Sequence, residues 1–290
     1  MKQTALLILA LALCACSVRI DEANVFRPQA HAPPAETIEE LARWPLAELR
    51  ASAADAEATH GFLGAGEDRV AYTLVRRPGT ARPLIVYCGG NSGDRFHSGV
   101  YYALKALLYG DVLLFDYPGY GDSPGAPTAS RIAAITPALA ALATEQAEDR
   151  PLVLWGQSLG GFICSIIAEQ TPEADAVVLE ASARRAIDVA RAWRPWYLAP
   201  FVRLSIAENL RAYDTATRLA AFDGPILVLG ARRDDTLPVG LARDLAAALR
   251  AEGRRVTYAE FPRASHLDIS RQPEFPAVAQ SFFASVAGQP

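Results

Sequence analysis

The chain has 290 residues, of which 51% are hydrophobic and 21% charged, and this composition suits one globular domain with a full core. Its formal net charge of −4 argues against a nucleic-acid-binding protein, which would carry a basic surface. No segment repeats at a fixed period. We therefore expect one compact domain with no nucleic-acid partner.

The N-terminus has the pattern of an export signal. Lys2 precedes the apolar run 5–12, which is too short for a standing membrane span and ends in small residues. The segment Leu13-x-Ala15-Cys16 also resembles a bacterial lipobox, in which the cysteine becomes the lipidated first residue of the mature protein. Ser17 after it favours an outer-membrane lipoprotein facing the periplasm. The alternative is a plain cleaved signal peptide with incidental cysteines.

Three prolines and few apolar residues follow this signal. We therefore expect residues 1–15 to be a lipoprotein signal peptide, 16–35 a flexible tether, and 36–290 the folded domain. Cys88 and Cys164 remain in that domain, and both are expected to be buried apolar residues, since their context indicates neither a metal site nor a disulfide framework.

Short apolar runs alternate with helix-like segments along the rest of the chain. A helix is expected at 36–49 and a first strand at 70–75. Buried strands are then predicted at 84–87, 112–115, 152–155, 176–179 and 226–229, with a last strand at 255–261. Helix-like segments lie at 100–108, 131–143, 161–169 and 239–252. This alternation predicts an α/β fold, with a mostly parallel sheet and helices on both faces.

Residues 181–223 are too many for one simple crossover and are predicted to form a small helical cap over the sheet edge. An ordinary crossover helix with a longer loop is the alternative. Six arginines between positions 181 and 211 accompany only two acids there, Asp188 and Glu208. Such a surface, beside several aromatic residues, is typical of an anionic-headgroup or membrane contact, but equally of a solvated helical face.

The pattern Gly156-x-Ser158-x-Gly160 lies between a predicted strand and a predicted helix. A serine at such a sharp turn has a strained backbone, and glycines two residues away on each side relieve the clash with the helix. The turn exposes the serine hydroxyl beside a helix N-terminus. Ser158 is therefore the candidate nucleophile.

A serine nucleophile needs a base, and the base needs an acid that orients it. His266 follows the last predicted strand, so the parallel topology brings it to the edge where Ser158 lies. His31, His60 and His97 are weaker candidates for the base, and His97 is expected to be solvated or to face substrate. Asp234 is the preferred acid and Asp235 the second choice. Glu180 is a third possibility, although pairing with a nearby arginine of the cap is the better interpretation of it.

An oxyanion hole requires two backbone N–H groups that point at one oxygen. Leu159, directly after the nucleophile, should supply one. The loop after the strand 84–87 should supply the other, with Asn91 as the donor and Gly90 allowing close approach. This glycine loop lacks the Lys-Ser/Thr of a nucleotide-binding loop.

These motifs together resemble the α/β-hydrolase superfamily over residues 60–285. The Gly-Gly-Asn loop, the Asp-x-x-Gly-x-Gly-x-Ser segment 116–123, the nucleophile turn, the aspartate loop and the late histidine occur in the family's order. The resemblance implies an α/β-hydrolase fold and acyl transfer to water through an acyl-enzyme on Ser158, without a cofactor or metal. The segment 116–123 is then a structural support, and not catalytic.

The expected partner is a small-molecule acyl ester or thioester, together with a membrane reached through an N-terminal lipid anchor on Cys16. No obligate protein partner is evident. Two alternatives stay open: a serine peptidase or amidase of the same fold, and a non-catalytic envelope lipoprotein that uses the fold as a binding scaffold.

Overall fold

A computed structural model describes residues 16–29, 33–79 and 82–287 of the chain. The predicted signal peptide at 1–15 and His31 lie outside the described residues. The strands are β1 (Cys16–Ile20), β2 (Glu57–Leu63), β3 (Val70–Arg76), β4 (Leu84–Cys88), β5 (Asp111–Phe115), β6 (Leu152–Gln157), β7 (Ala176–Glu180), β8 (Val202–Ile206), β9 (Ile226–Ala231) and β10 (Val256–Phe261).

Eight of these strands form one sheet in the order β10-β9-β7-β6-β4-β5-β3-β2. All neighbours pair in parallel except the β2–β3 and β3–β5 pairs, which are antiparallel. The central strands β4, β5, β6 and β7 are buried along their whole length, as continuous apolar runs covered on both faces should be. The predicted mostly parallel sheet is confirmed, and the strand β2 was missed.

The helices are α1 (Glu22–Val25), α2 (Ile38–Leu41), α3 (Leu46–Arg50), α4 (Gly99–Ala106), α5 (Ala129–Ala147), α6 (Leu159–Glu169), α7 (Ala186–Trp193), α8 (Thr215–Arg218), α9 (Gly240–Ala251) and α10 (Phe275–Ala287). The single helix expected at 36–49 is wrong, because the chain forms the two short helices α2 and α3, with Pro45 as the N-cap of the second.

Two apolar clusters lie on the two faces of the sheet. Helices α5, α6 and α9 pack on one face with residues such as Leu139, Ile163 and Leu245. Helices α4 and α10 cover the other face with residues such as Ala103 and Phe283. The sheet is therefore the middle of three layers, and its strands end at an edge that the helices leave accessible.

The flexible tether expected at 16–35 is wrong for its described part. Strand β1 pairs in parallel with β8, with Cys16 opposite Val202. The side chain of Phe26 is buried in the main core, beside Tyr213. Composition predicted a tether because the segment is rich in proline, but its backbone and its few apolar side chains find partners on the folded domain.

The cap contains a strand as well as helices. Between β7 and β9 the chain forms α7, a short 3₁₀ turn (Trp196–Leu198), the strand β8, a second 3₁₀ turn (Glu208–Ala212) and α8. The expected small helical cap is therefore present, but it also contains the strand β8, which the sequence did not indicate. The N-terminal strand β1 completes this cap, because it is the partner of β8.

Cys88 and Cys164 form a disulfide, with their Sγ atoms 2.34 Å apart and their Cα atoms 6.0 Å apart. The expectation of two unlinked apolar cysteines is wrong. The bond joins the end of β4 to the middle of α6, across 76 residues of sequence. It thereby ties the strand before the glycine loop to the helix after Ser158.

Breaking this disulfide should destabilise the folded domain. A crosslink that closes a loop of this length contributes about 2–4 kcal/mol to the free energy of unfolding. We expect reduction, or the double substitution Cys88→Ala/Cys164→Ala, to lower the urea midpoint accordingly, and Cys16→Ala to leave it unchanged. Equal urea midpoints with and without reductant would contradict the crosslink.

Candidate active site

Ser158 is the single residue that connects β6 to α6, and its backbone has a φ of 55° and a ψ of −118°. This left-handed backbone is rare for a residue with a side chain and marks a strained turn. A Cβ on Gly160 would lie 2.0 Å from the carbonyl oxygen of Cys88, and one on Gly156 would lie 2.4 Å from the carbonyl oxygen of Gly160. Both glycines are therefore needed for the close approach of α6 to the sheet.

Asp234 and His266 are joined by a hydrogen bond of 2.6 Å between Oδ2 and Nδ1. The other oxygen of Asp234 accepts the backbone N–H groups of Thr236 at 2.9 Å and Leu237 at 2.6 Å. These contacts fix the carboxylate, which is almost fully buried. Asp235 is exposed, and among the described residues its carboxylate accepts only the Thr236 hydroxyl, at 3.4 Å. Of the two candidate acids, Asp234 is thus the one that orients His266.

The topology brings these loops to one edge of the sheet. Ser158 follows β6, Asp234 follows β9 and His266 follows β10, and these strands are parallel. The acid and base loops are also linked directly, since Arg233 N–H donates to the Ala264 carbonyl at 2.9 Å. Among the described residues, no hydrogen bond joins the Ser158 hydroxyl to His266. Such contacts are often long before substrate binds.

The predicted oxyanion donors lie beside Ser158. Leu159 is the first residue of α6, where the backbone N–H groups lack intrahelical partners. A Cβ on Gly90 would lie 3.8 Å from the Ser158 Cβ, so the glycine loop reaches the nucleophile. Gly90 N–H donates to the Tyr102 hydroxyl at 3.4 Å, whereas the backbone N–H groups of Asn91 and Leu159 have no hydrogen-bond partner within the described segments. Those two groups remain available for an oxyanion.

The side chain of Asn91 binds the N-terminal segment to this loop. Its Nδ2 donates to the Val25 carbonyl at 2.5 Å, and its Oδ1 accepts the Arg27 N–H at 3.0 Å and the Tyr120 hydroxyl at 2.9 Å. These contacts hold the backbone of Asn91 in place. The segment that follows β1 and α1 is therefore part of the scaffold of the site, a role that the sequence did not indicate.

An apolar cavity of about 400 Å³ opens at Ser158. Its wall comes from the cap, from the acid loop, from α6 and from the N-terminal segment. The lining residues are Ile20, Asn24, Val25, Arg27, Asn91, Ser158, Leu159, Phe162, Ala186, Val189, Ala190, Trp193, Arg194, Leu204, Thr236 and Leu237. A cavity of this character, with few polar groups near the nucleophile, is typical of a small-molecule site.

The segment 116–123 supports the loop that carries Asn91. The buried carboxylate of Asp116 accepts the backbone N–H groups of Arg95 at 2.5 Å and Asp122 at 2.9 Å, and the Ser123 hydroxyl donates to the Asp116 carbonyl at 2.9 Å. The guanidinium of Arg95 in turn binds Asp122 at 2.5 Å. Asp116, Arg95, Asp122 and Ser123 do not line the cavity, whereas Tyr120 of the same segment reaches its wall through Asn91.

The remaining histidines have structural partners. His97 Nδ1 lies 2.7 Å from Asp94 Oδ2, and His60 Nδ1 lies 2.9 Å from the Thr73 hydroxyl. His60 belongs to β2, and burial lowers its pKa from 6.5 to about 4, with the nearby Arg95 guanidinium as a smaller cause. His60 is therefore a neutral residue of the sheet at ordinary pH. Neither histidine lines the cavity at Ser158.

A buried ion pair beneath the site was not predicted. Lys105 Nζ lies 2.8 Å from Glu180 Oε2, which also accepts the Trp155 indole N–H at 2.9 Å. Burial lowers the pKa of Lys105, and the charge of Glu180 opposes this shift. Pairing of Glu180 with a cap arginine is thus wrong, because the partner comes from α4, 75 residues earlier in the chain.

Tyr101, also on α4, contacts the loop of the base. Its hydroxyl donates to the carbonyl of Leu267 at 2.6 Å, one residue after His266, and lies 3.2 Å from the Ser270 hydroxyl. It does not line the cavity. Tyr101 therefore holds the His266 loop without contacting substrate.

We expect Tyr101→Phe to lower kcat for ester hydrolysis on the order of tenfold, because small displacements of a catalytic group are costly. KM should change little, since the cavity wall is intact. Tyr109→Phe is the matched control, because the Tyr109 hydroxyl has no hydrogen-bond partner within the described part of the chain and its ring stacks on Phe283. An unchanged kcat in Tyr101→Phe would remove the positioning role.

A family profile and several known proteins match this chain in sequence. A profile described as "alpha/beta hydrolase fold" matches residues 83–207. An uncharacterized protein of Mycobacterium tuberculosis is 33% identical over 195 residues, which cover 66% of this chain and 65% of that protein. A lysophosphatidylserine lipase of Danio rerio is 26% identical over 226 residues, covering 70% of this chain and 58% of the relative. The chain thus spans less than two thirds of the length of these relatives.

Solved structures share the architecture. An esterase of Pyrococcus furiosus superposes with a TM-score of 0.63 at 14% identity, covering 91% of this chain and all of that one (100%). An acylaminoacyl peptidase of Pyrococcus horikoshii superposes with a TM-score of 0.61 at 16% identity, covering 81% of this chain and 42% of the peptidase. With the sheet order, the nucleophile turn and the sequence relatives, these similarities identify the chain as a protein of the α/β-hydrolase fold.

Proposed function

We propose that this protein is a serine hydrolase that cleaves carboxylic esters or thioesters through an acyl-enzyme on Ser158. The observation that carries the proposal is the 2.6 Å hydrogen bond between Asp234 and His266, at the sheet edge where Ser158 occupies its strained turn. A scaffold without catalysis has no need for this fixed pair beside a half-buried serine in a strained turn. The lipase and esterase names among similar proteins support a hydrolase.

The residues perform the reaction in two halves. His266 takes the proton of the Ser158 hydroxyl through Nε2 while Asp234 holds its Nδ1–H, and Ser158 Oγ attacks the carbonyl carbon. The N–H groups of Asn91 and Leu159 stabilise the negative charge on the carbonyl oxygen. His266 then gives the proton to the leaving alcohol or thiol. Water attacks the acyl-enzyme in the same way, which releases the carboxylic acid and returns the proton to Ser158.

The apolar cavity indicates where the acyl chain binds. Its wall from α6, the cap and the acid loop includes Phe162, Val189, Ala190 and Leu237, so each methylene that enters it leaves water. Burial of a methylene contributes about 0.8 kcal/mol, or about fourfold in affinity. We therefore expect kcat/KM for p-nitrophenyl esters to rise with chain length until the cavity is full.

A matched pair of substitutions in the cap tests this assignment. Ala190 lines the cavity, whereas Ala192 is exposed on the same helix and does not. Ala190→Phe should shift the preferred ester to shorter chains, and Ala192→Phe should leave the preference unchanged. A peptidase or amidase of this fold would also cleave the p-nitroanilide with the same acyl group at a rate near that of the ester, and that result would replace the esterase proposal.

We also propose that Cys16 carries a lipid that anchors the protein in the cell envelope, facing the periplasm. The disulfide between Cys88 and Cys164 supports export to an oxidising compartment, and the exposed position of Cys16 leaves its thiol accessible to a lipid. Among the described residues, no helix is long and apolar enough to cross a bilayer. Metabolic labelling with a radioactive fatty acid should mark the wild-type chain but not Cys16→Ser. Equal labelling of the two chains would contradict lipidation at Cys16.

A further inference from the structure

Five large apolar side chains are exposed together on the cap. Trp196 is 85% exposed, and Trp193, Tyr197, Phe201 and Leu198 are 53%, 58%, 46% and 37% exposed. They lie within nine consecutive residues, from the end of α7 to the start of β8. We call this group the aromatic patch. A soluble surface rarely leaves so many aromatic rings in water unless they contact another surface.

The aromatic patch begins at the wall of the cavity. Trp193 lines the cavity that opens at Ser158, and its indole N–H donates to the Thr236 carbonyl at 2.5 Å, in the acid loop. The other members of the patch follow it in the chain and do not line the cavity. Whatever covers the patch therefore also lies beside the way into the site.

The N-terminal segment joins the folded domain next to the patch. Cys16 is the register partner of Val202, which directly follows Phe201. In the sequence, the apolar run 5–12 ends a few residues before Cys16. A chain held in a bilayer by a lipid on Cys16 would therefore bring the patch to the same bilayer.

Arginines flank the patch on the outer side of the cap. Arg19 in β1 and Arg203 in β8 are exposed, on the face opposite to Leu204, which lines the cavity. The chain as a whole is net negative, at −4, so this local positive charge is not a general property of the surface. Such charge next to tryptophan and tyrosine is complementary to anionic lipid headgroups.

We propose that the aromatic patch docks on the surface of an anionic lipid bilayer, with the rings of Trp196, Tyr197 and Phe201 at the headgroup level. This docking surface goes beyond the proposed hydrolase, and its test does not depend on Ser158 being the nucleophile. It places the cavity mouth against lipid, so that an acyl chain passes from the bilayer to Ser158 without crossing water.

Fluorescence quenching by brominated lipids tests the contact directly. Trp193 and Trp196 are exposed in the patch, whereas Trp44 and Trp155 are buried. With full-length protein on vesicles of brominated phosphatidylglycerol and phosphatidylcholine, we expect tryptophan emission to be quenched, and Trp193→Phe/Trp196→Phe to lose most of that quenching. On vesicles in which all of the phosphatidylglycerol is replaced by brominated phosphatidylcholine, the tryptophan emission of the wild type should be quenched less.

A tryptophan at the opposite edge of the sheet provides the control. Leu108 is exposed at the end of α4, near the start of β5. In the Trp193→Phe/Trp196→Phe background, Leu108→Trp should restore emission from an exposed tryptophan but not its quenching. If bound wild-type protein shows no quenching, the patch faces another surface, such as the run 5–12 or a second copy, and the proposal is overturned. Equal quenching in the Leu108→Trp variant and in the wild type would overturn it as well.

Hydrolysis rates on vesicle-bound and soluble esters distinguish the docking proposal from the hydrolase proposal. The double variant Trp196→Ser/Phe201→Ser should hydrolyse a long-chain ester in vesicles at least about tenfold more slowly, while a soluble short-chain ester is hydrolysed at the wild-type rate. Leu108→Ser should match the wild type in both assays. Equal vesicle turnover by the double variant and the wild type would contradict the proposal. If neither the wild type nor any variant cleaves an ester, the hydrolase proposal fails. The quenching experiment still tests the docking surface in that case.

Discussion

Replacing Ser158 with alanine is expected to lower kcat for p-nitrophenyl ester hydrolysis by about 10⁵–10⁶, because no other group then attacks the carbonyl. The fold should persist, since the substitution removes one oxygen from a half-buried turn. Ser165→Ala is the matched control: Ser165 lies in α6, the helix that follows Ser158, and its hydroxyl donates to the Phe162 carbonyl at 2.6 Å, away from the site. We expect less than about a fewfold change in kcat for that variant.

A loss of activity in Ser165→Ala as large as that in Ser158→Ala would contradict this assignment, because it would indicate general damage to α6. The two variants should therefore be compared at matched folded fractions, measured by near-ultraviolet circular dichroism. Activity retained by Ser158→Ala would exclude the acyl-enzyme on that residue.

Replacing Asp234 with asparagine is expected to lower kcat by about 10⁴. The amide cannot stabilise the protonated His266, and its NH₂ group opposes the tautomer in which Nδ1 carries the proton. The two backbone N–H groups that Asp234 accepts would also lose a charged partner. The effect should appear in kcat at every pH between about 6 and 9, since it changes the histidine and not the cavity.

Asp235→Asn gives the matched comparison, because it removes the adjacent carboxylate, which is exposed and contacts only Thr236. We expect a change in kcat below about threefold. If the two aspartates gave equal losses, or if Asp235→Asn gave the larger one, the acid would have been assigned to the wrong residue.

The parts of the fold that were predicted correctly depend on local patterns. The buried runs of β4 to β7 are continuous and apolar, and the turn at Ser158 needs glycines at fixed spacing, so both can be recognised without tertiary information. The order of the aspartate and histidine loops follows from the parallel topology. The sequence did not decide between Asp234 and Asp235 as the acid, because only the geometry shows which carboxylate faces His266.

The parts that were missed depend on contacts between distant residues. The disulfide joins cysteines 76 residues apart, and Lys105 meets Glu180 across 75 residues. Strand β2 is half exposed and antiparallel, so it lacks the continuous apolar run of its neighbours. The N-terminal segment resembles a tether in composition, but Asn91 binds its backbone and Phe26 enters the core. None of these contacts can be predicted from the spacing of residues that are close in the sequence.

The most direct measurement is the reaction of the folded chain with a fluorophosphonate probe, followed by peptide mass spectrometry. Ser158 Oγ should displace fluoride from phosphorus and carry one adduct, on the peptide that contains Ser158. Ser158→Ala and urea-unfolded wild-type protein should stay unlabelled, and Asp234→Asn should be labelled far more slowly. An unlabelled folded protein, or a label that persists in Ser158→Ala, would contradict a serine hydrolase with this nucleophile.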